Sequence, residues 1–154
     1  ALNRIPFGQM HRTKLQLDAS EVMVESLVMP EARVQAIQVD IATAGRRVSG
    51  EIGLEIYRDK ALVSVTKATL IDAKDSSFPG FSGWLPVSFR LSEDLDLRGK
   101  RVELKLTNRT EQTISLWVDD IRPESVDIKL PSGEVALGSI VMTFLEAKAE
   151  RRGN

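Results

Sequence analysis

The sequence predicts an all-β fold, a two-sheet antiparallel β-sandwich of jelly-roll type with about nine or ten strands. Three observations predict it. Apolar and polar residues alternate with period two in run after run. Turn-forming residues punctuate the runs at short intervals. No internal stretch carries a convincing helical pattern, and residues 146–152, though of helix-favouring composition, are few and terminal.

Taken in order, residues 22–29 (Val22 to Met29) form the first expected strand, almost continuously apolar and so read as covered on both sides. In 35–41, Ile37, Val39 and Ile41 face one way and Gln38 and Asp40 the other. Residues 51–56 repeat the alternation through Ile52, Leu54 and Ile56, as do 85–91 through Leu85, Val87, Phe89 and Leu91. The run 101–106 is the cleanest, with Val102, Leu104 and Leu106 against Arg101, Glu103 and Lys105. Residues 113–118 and 125–130 complete the alternating set. Residues 140–145 are again nearly continuous, and their pairing with 22–29 would close the domain and hide two edges. Between the runs lie Ala44-Gly45, Arg58-Asp59-Lys60, Arg98-Gly99-Lys100 and Pro131-Ser132-Gly133, each a turn signal.

The chain has 154 residues, 28% of them charged and 42% hydrophobic. That composition suits one globular domain spanning 1–154, with its core over about residues 20–146. Cysteine is absent, which removes disulfides, thiolate metal sites and cysteine nucleophiles. No run of apolar residues is long enough to span a membrane. The ends are basic: residues 1–14 carry Arg4, Arg12 and Lys14 and no acid, and 147–154 carry Lys148, Arg151 and Arg152 against Glu150. Both ends read as solvated tails, and no nucleic-acid partner is expected.

Catalytic patterns fail to assemble, and no catalytic residue is assigned. His11, the single histidine, falls in the basic N-terminal stretch and reads as an exposed tail residue. Ser64 and Lys67 have the spacing of some acyl enzymes, but that chemistry needs a helical turn. On a strand, residues three apart point to opposite faces. Acids are plentiful in the expected loops (Asp72, Asp75, Glu93, Asp94, Asp96, Asp119, Asp120). No cofactor is expected, with a structural calcium the one ion these acids leave open.

Aromatics make up only 5% of the chain, yet Phe78, Phe81 and Trp84 crowd into one stretch with Pro79, Gly80 and Gly83. The stretch reads as a loop. Flat aromatic faces on a loop suit the C–H face of a sugar ring, and Asp75 just before it could accept hydrogen bonds from hydroxyls. The same aromatics could instead tuck onto the core and pin the loop. Trp117 falls on the nominally wet face of its strand, where it is either covered by another element or part of a binding face. The candidate ligand-binding residues are therefore Trp84, Phe81, Phe78, Asp75 and Trp117.

The succession 24–28, 37–43 and 50–57, followed by Val87-Ser88-Phe89, Leu97-Arg98-Gly99-Lys100 and 102–107, resembles carbohydrate-binding-module-like β-sandwich domains. Such domains are appended to larger bacterial envelope and polysaccharide-related proteins. The resemblance covers about residues 22–118 and rests on strand alternation plus a glycine-lysine turn. It implies a non-catalytic accessory module in a periplasmic or extracellular setting. The partner would be a carbohydrate or, alternatively, a neighbouring protein domain on which the module docks.

Overall fold

The computed structural model describes residues 2–8, 10–120 and 126–147, except for the side chains of Leu2 and Phe81. Among them there is no helix, and fourteen strands lie in two antiparallel sheets. The first sheet holds β1 (Leu2–Phe7), β2 (Thr13–Leu17), β4 (Val34–Ala42), β7 (Ser76–Phe78), β8 (Phe81–Arg90), β10 (Ile114–Asp119), β13 (Ser139–Ile140) and β14 (Met142–Ala147). The second runs in the order β12 (Val135–Leu137), β11 (Asp127–Lys129), β3 (Val22–Val28), β9 (Arg101–Asn108), β5 (Val48–Arg58) and β6 (Ala61–Ala73). From β3 onward the chain changes sheet at most connections, so the architecture is the expected all-β sandwich.

The alternating runs became strands for the reason the alternation gives. On β9 the odd residues Arg101 and Glu103 are exposed, while Val102, Leu104 and Leu106 are at most 2% exposed. They meet Ile37, Ile41, Phe89 and Phe144 in one apolar cluster. Each such side chain contributes about 1.5–3 kcal/mol by leaving water. The count exceeds the expected nine or ten because β7, β12 and β13 carry too few residues for a periodic signal and the basic β1 and β2 read as a tail.

Three expectations are corrected. The N-terminal residues are not a solvated tail: β1 pairs along its whole length with β14, and β2 pairs with β10. Their basic residues alternate with apolar ones, and Leu17 is completely buried. The basic C-terminal residues 148–154 lie outside the described residues. Strand 22–28 does not pair with 142–147; it sits between β9 and β11 in the second sheet, and β14 lies between β1 and β4 in the first. The reason is Glu25. It occupies a core-facing position between Met23 and Leu27, is 0% exposed, and needs polar partners on the opposite sheet. Its oxygens accept from the Ser139 hydroxyl at 2.7 Å and the Ile140 amide at 2.6 Å. Lastly, residues 76–84 are not an open loop but a β-hairpin, β7 to β8.

The expectation that 64–67 is strand holds, since both Ser64 and Lys67 lie within β6. The β5–β6 hairpin turns at Asp59-Lys60, both at positive φ (50° and 66°), the conformation a two-residue type I′ turn requires.

Candidate functional site

The 76–84 hairpin is the place where exposed aromatic surface meets a rigid support. Phe78 pairs with Phe81, Ser77 with Ser82 and Ser76 with Trp84, and the register slips by one residue at Gly83. Pro79 and Gly80 make the turn. Gly80 has φ +77° and stands in open space, so the tip projects from the molecule. Phe78 is 53% exposed. Trp84 is half-buried, with its ring centroid 6.4 Å from that of Phe78 and the planes tilted by 47°. The two rings form a wedge. Ser76, paired with Trp84, is exposed on the wedge face and supplies a hydroxyl, while the exposed Ser77 and Ser82 lie on the other face of the hairpin.

Beneath the wedge, Gly83 carries the design. At φ +92° it adopts a conformation costly for other residues, and an added Cβ would lie 2.7 Å from the Asp75 Oδ2. The missing side chain lets the Asp75 carboxylate pass under the hairpin. There Oδ2 accepts from the Thr43 amide at 2.7 Å and Oδ1 from the Gly45 amide at 3.1 Å. The Asp75 amide returns a bond to the Thr43 hydroxyl at 3.1 Å. Asp75 is 6% exposed. Its carboxylate thus clasps the turn after β4, and the expected role of accepting from a ligand hydroxyl is taken up by the fold.

Trp117 is covered, the first of its two expected alternatives: it is 7% exposed and its indole N–H donates to the Gly83 carbonyl. The Lys14 Nζ lies 5.2 Å from its ring centre, and His11 stacks edge-on at 5.5 Å. His11 is correspondingly not a tail residue. Its side chain is 23% exposed, with Nε2 2.7 Å from the Asp40 Oδ2. The N-terminal segment therefore supports the hairpin from below. Of the five candidate residues, Phe78 and Trp84 come together on the surface. Asp75 and Trp117 lie under them as supports, and the side chain of Phe81 is outside the described residues.

The other acids are spread among separate partners. Asp119 accepts from the Met10 amide at 3.3 Å and pairs with Arg12 at 3.5 Å. Asp120 accepts from the Thr13 hydroxyl at 2.9 Å. Asp96 takes two side-chain bonds from Arg98, at 2.9 and 2.7 Å. These bonds, ahead of the Arg98 backbone amide and charge, hold its carboxyl down at about 2. Among the described residues no group of three or more His, Cys, Asp or Glu side chains is placed to hold a metal ion. No helix among them is long and apolar enough to cross a membrane.

A second concavity of about 270 Å³ lies over Gly53 on the outer face of β5, walled by Glu51, Glu55, Val65, Lys67 and Arg109. Its only sequence signal is a glycine where the alternation Glu51, Gly53, Glu55 calls for a side chain. Lys67 already pairs with Glu51 at 2.8 Å there, and no aromatic lines it.

Comparison with known proteins gives no match: no family model, no curated protein and no solved structure matches the chain. Of the expected resemblance, the two-sheet antiparallel sandwich is the part that the structure shows.

Proposed function

We propose that the protein is a non-catalytic module that binds carbohydrate through the 76–84 hairpin. The observation that carries this reading is the exposed Phe78–Trp84 wedge on a hairpin braced by Asp75 and Trp117. A sugar ring would lay its C–H face on one aromatic plane and touch the second along its edge, with Ser76 at hand for a hydroxyl. The bracing supports the reading because a platform fixed before binding loses little freedom on binding. An accessory role in a bacterial envelope or polysaccharide-related protein, outside the cytoplasm, is the setting that fits it.

The test is binding of immobilised glycans by the purified protein and by Phe78→Ala and Trp84→Ala. Both substitutions should abolish binding, while Phe78→Ala moves the melting temperature by no more than about 2 °C, an exposed side chain contributing little to stability. Binding that persists in both variants would remove the hairpin as the site. A docking role within a larger protein rests on a different surface, the exposed apolar residues of β6, and mutation separates the two.

A further inference from the structure

We infer that the protein forms a two-fold dimer by antiparallel pairing of β6 with β6 of a second copy. β6 is the longest strand, 13 residues, and ends its sheet; among the described residues it pairs with β5 alone. The other end of the same sheet, β12, has only three residues. Long edges are ordinarily guarded by proline, bulges or outward charge. Residues 64–70 carry no proline and run against β5 without a break in register. Their one charge, Lys67, is held to Glu51 on the adjacent strand at 2.8 Å, back from the free edge.

The backbone direction can be worked out. The Arg109 amide donates to the Glu51 carbonyl at 2.9 Å, so Glu51 turns its polar groups towards β9. A residue's N–H and C=O leave a strand on the same side, and successive residues alternate. Ile52, Leu54 and Ile56 therefore turn to β6, where they face Ala68, Thr66 and Ser64. Val65, Lys67 and Thr69 then direct their N–H and C=O groups to the free edge, and Ile71 continues the series. Beyond it Asp72 leaves the ladder, with φ 45° and its amide donating to the Ser49 hydroxyl at 2.9 Å.

Of the three registers that centre on the middle of the strand, one suits the side chains best. Residues facing each other across an antiparallel pair share a face, so a two-fold pairing centres on one residue. Centring on Lys67 would set two ammonium groups opposite one another, which is unfavourable. Centring on Thr66 would place Ile71 against the small Ala61. Centring on Ala68 sets Lys67 against Thr69 and Val65 against Ile71, each twice by symmetry. Val65 and Ile71 are 66% and 81% exposed, the most exposed large apolar residues of the strand. Every pair in this register that would bond across the new ladder brings together residues whose polar groups already point outward. The pairing is independent of glycan binding by the hairpin.

Sedimentation velocity from low-micromolar to near-millimolar protein tests it, with circular dichroism to confirm folding. The wild type should pass from monomer to dimer. Ile71→Lys, at a side chain too exposed to matter for folding, should weaken the dimer roughly tenfold or more, two cross-strand contacts being lost. Val65→Glu should do the same. The two together should restore association, because this register sets the new charges opposite one another. Thr69→Pro removes an outward amide without touching a β5 bond and should abolish dimerisation. A wild type that stays monomeric throughout, or a dimer indifferent to these substitutions, would overturn the inference. Weakening by each single substitution without rescue by the pair would overturn the register.

Discussion

Asp75 separates a supporting residue from a ligand-binding one. Replacing it by alanine removes the acceptor of two backbone amides, Thr43 at 2.7 Å and Gly45 at 3.1 Å. Hydrogen bonds to a charged group contribute about 1.5–3 kcal/mol each. Thr43 is 1% exposed, so its amide is left without water, whereas Gly45 lies in an exposed turn and regains a solvent partner. The loss is therefore about 2–4 kcal/mol. For a chain of 154 residues, that lowers the melting temperature by about 4–16 °C, at roughly 2–4 °C per kcal/mol. Asp75→Asn keeps one acceptor oxygen but turns an amide group towards one of the two donors, and should recover less than half of the loss. Differential scanning calorimetry on the three proteins reads both effects. A shift below about 2 °C for Asp75→Ala would show that the carboxylate does not hold the turn, and the hairpin would lose its principal brace.

The remaining predictions concern the inter-sheet clasp, the second brace and the acid limb. Glu25→Ala leaves the Ile140 amide buried without its acceptor and the Ser139 hydroxyl with the Ile140 carbonyl alone, and should cost about 2–4 kcal/mol in urea unfolding. Glu25→Gln should cost less. Trp117→Phe removes the donor to the Gly83 carbonyl and should cost about 1–2 kcal/mol. It should also speed amide exchange in 76–84, and unchanged exchange would argue that the indole does not brace the hairpin. Asp96 has its carboxyl lowered from 3.8 to about 2 by its hydrogen bonds with Arg98. Its contribution is thus complete above the unfolded value near 3.8 and is lost as pH falls through about 2. Asp96→Asn should flatten that part of the acid unfolding curve and leave the neutral range little changed, as urea midpoints against pH would report.

How much of this was legible in the sequence follows from what each strand touches. β4, β5, β8 and β9 read clearly because each has one face in the core, and burial imposes period two on them. β6 was legible only around Ser64 to Lys67, because its pattern is inverted. Its core-side residues are Ser64, Thr66, Ala68 and, only then, the buried Leu70, while Val65 and Ile71 face outward. It meets the core only through Ala68, Leu70 and Ala73. β2 does alternate, with Lys14 and Gln16 exposed and Leu15 and Leu17 turned inward. Its positive charge drew the reading towards a tail, and that also hid His11 and its contact with Asp40. At the site, the aromatic cluster was visible from composition alone. The division of Phe78 and Trp84 from Asp75 and Trp117 was not, because it depends on the positive φ of Gly83 and on which residues of β4 and the N-terminal segment lie beneath. Asn108-Arg109-Thr110, a glycosylation spelling, is likewise structural: the Asn108 amide is buried and donates to the Leu17 and Gln112 carbonyls at 3.0 and 2.8 Å.

The most direct test of the central reading is a glycan-array screen of the folded protein, with and without calcium, alongside Phe78→Ala and Trp84→Ala. The account predicts hits confined to one polysaccharide class and lost in both variants. A blank array for the folded wild type, or hits that survive both substitutions, would contradict it.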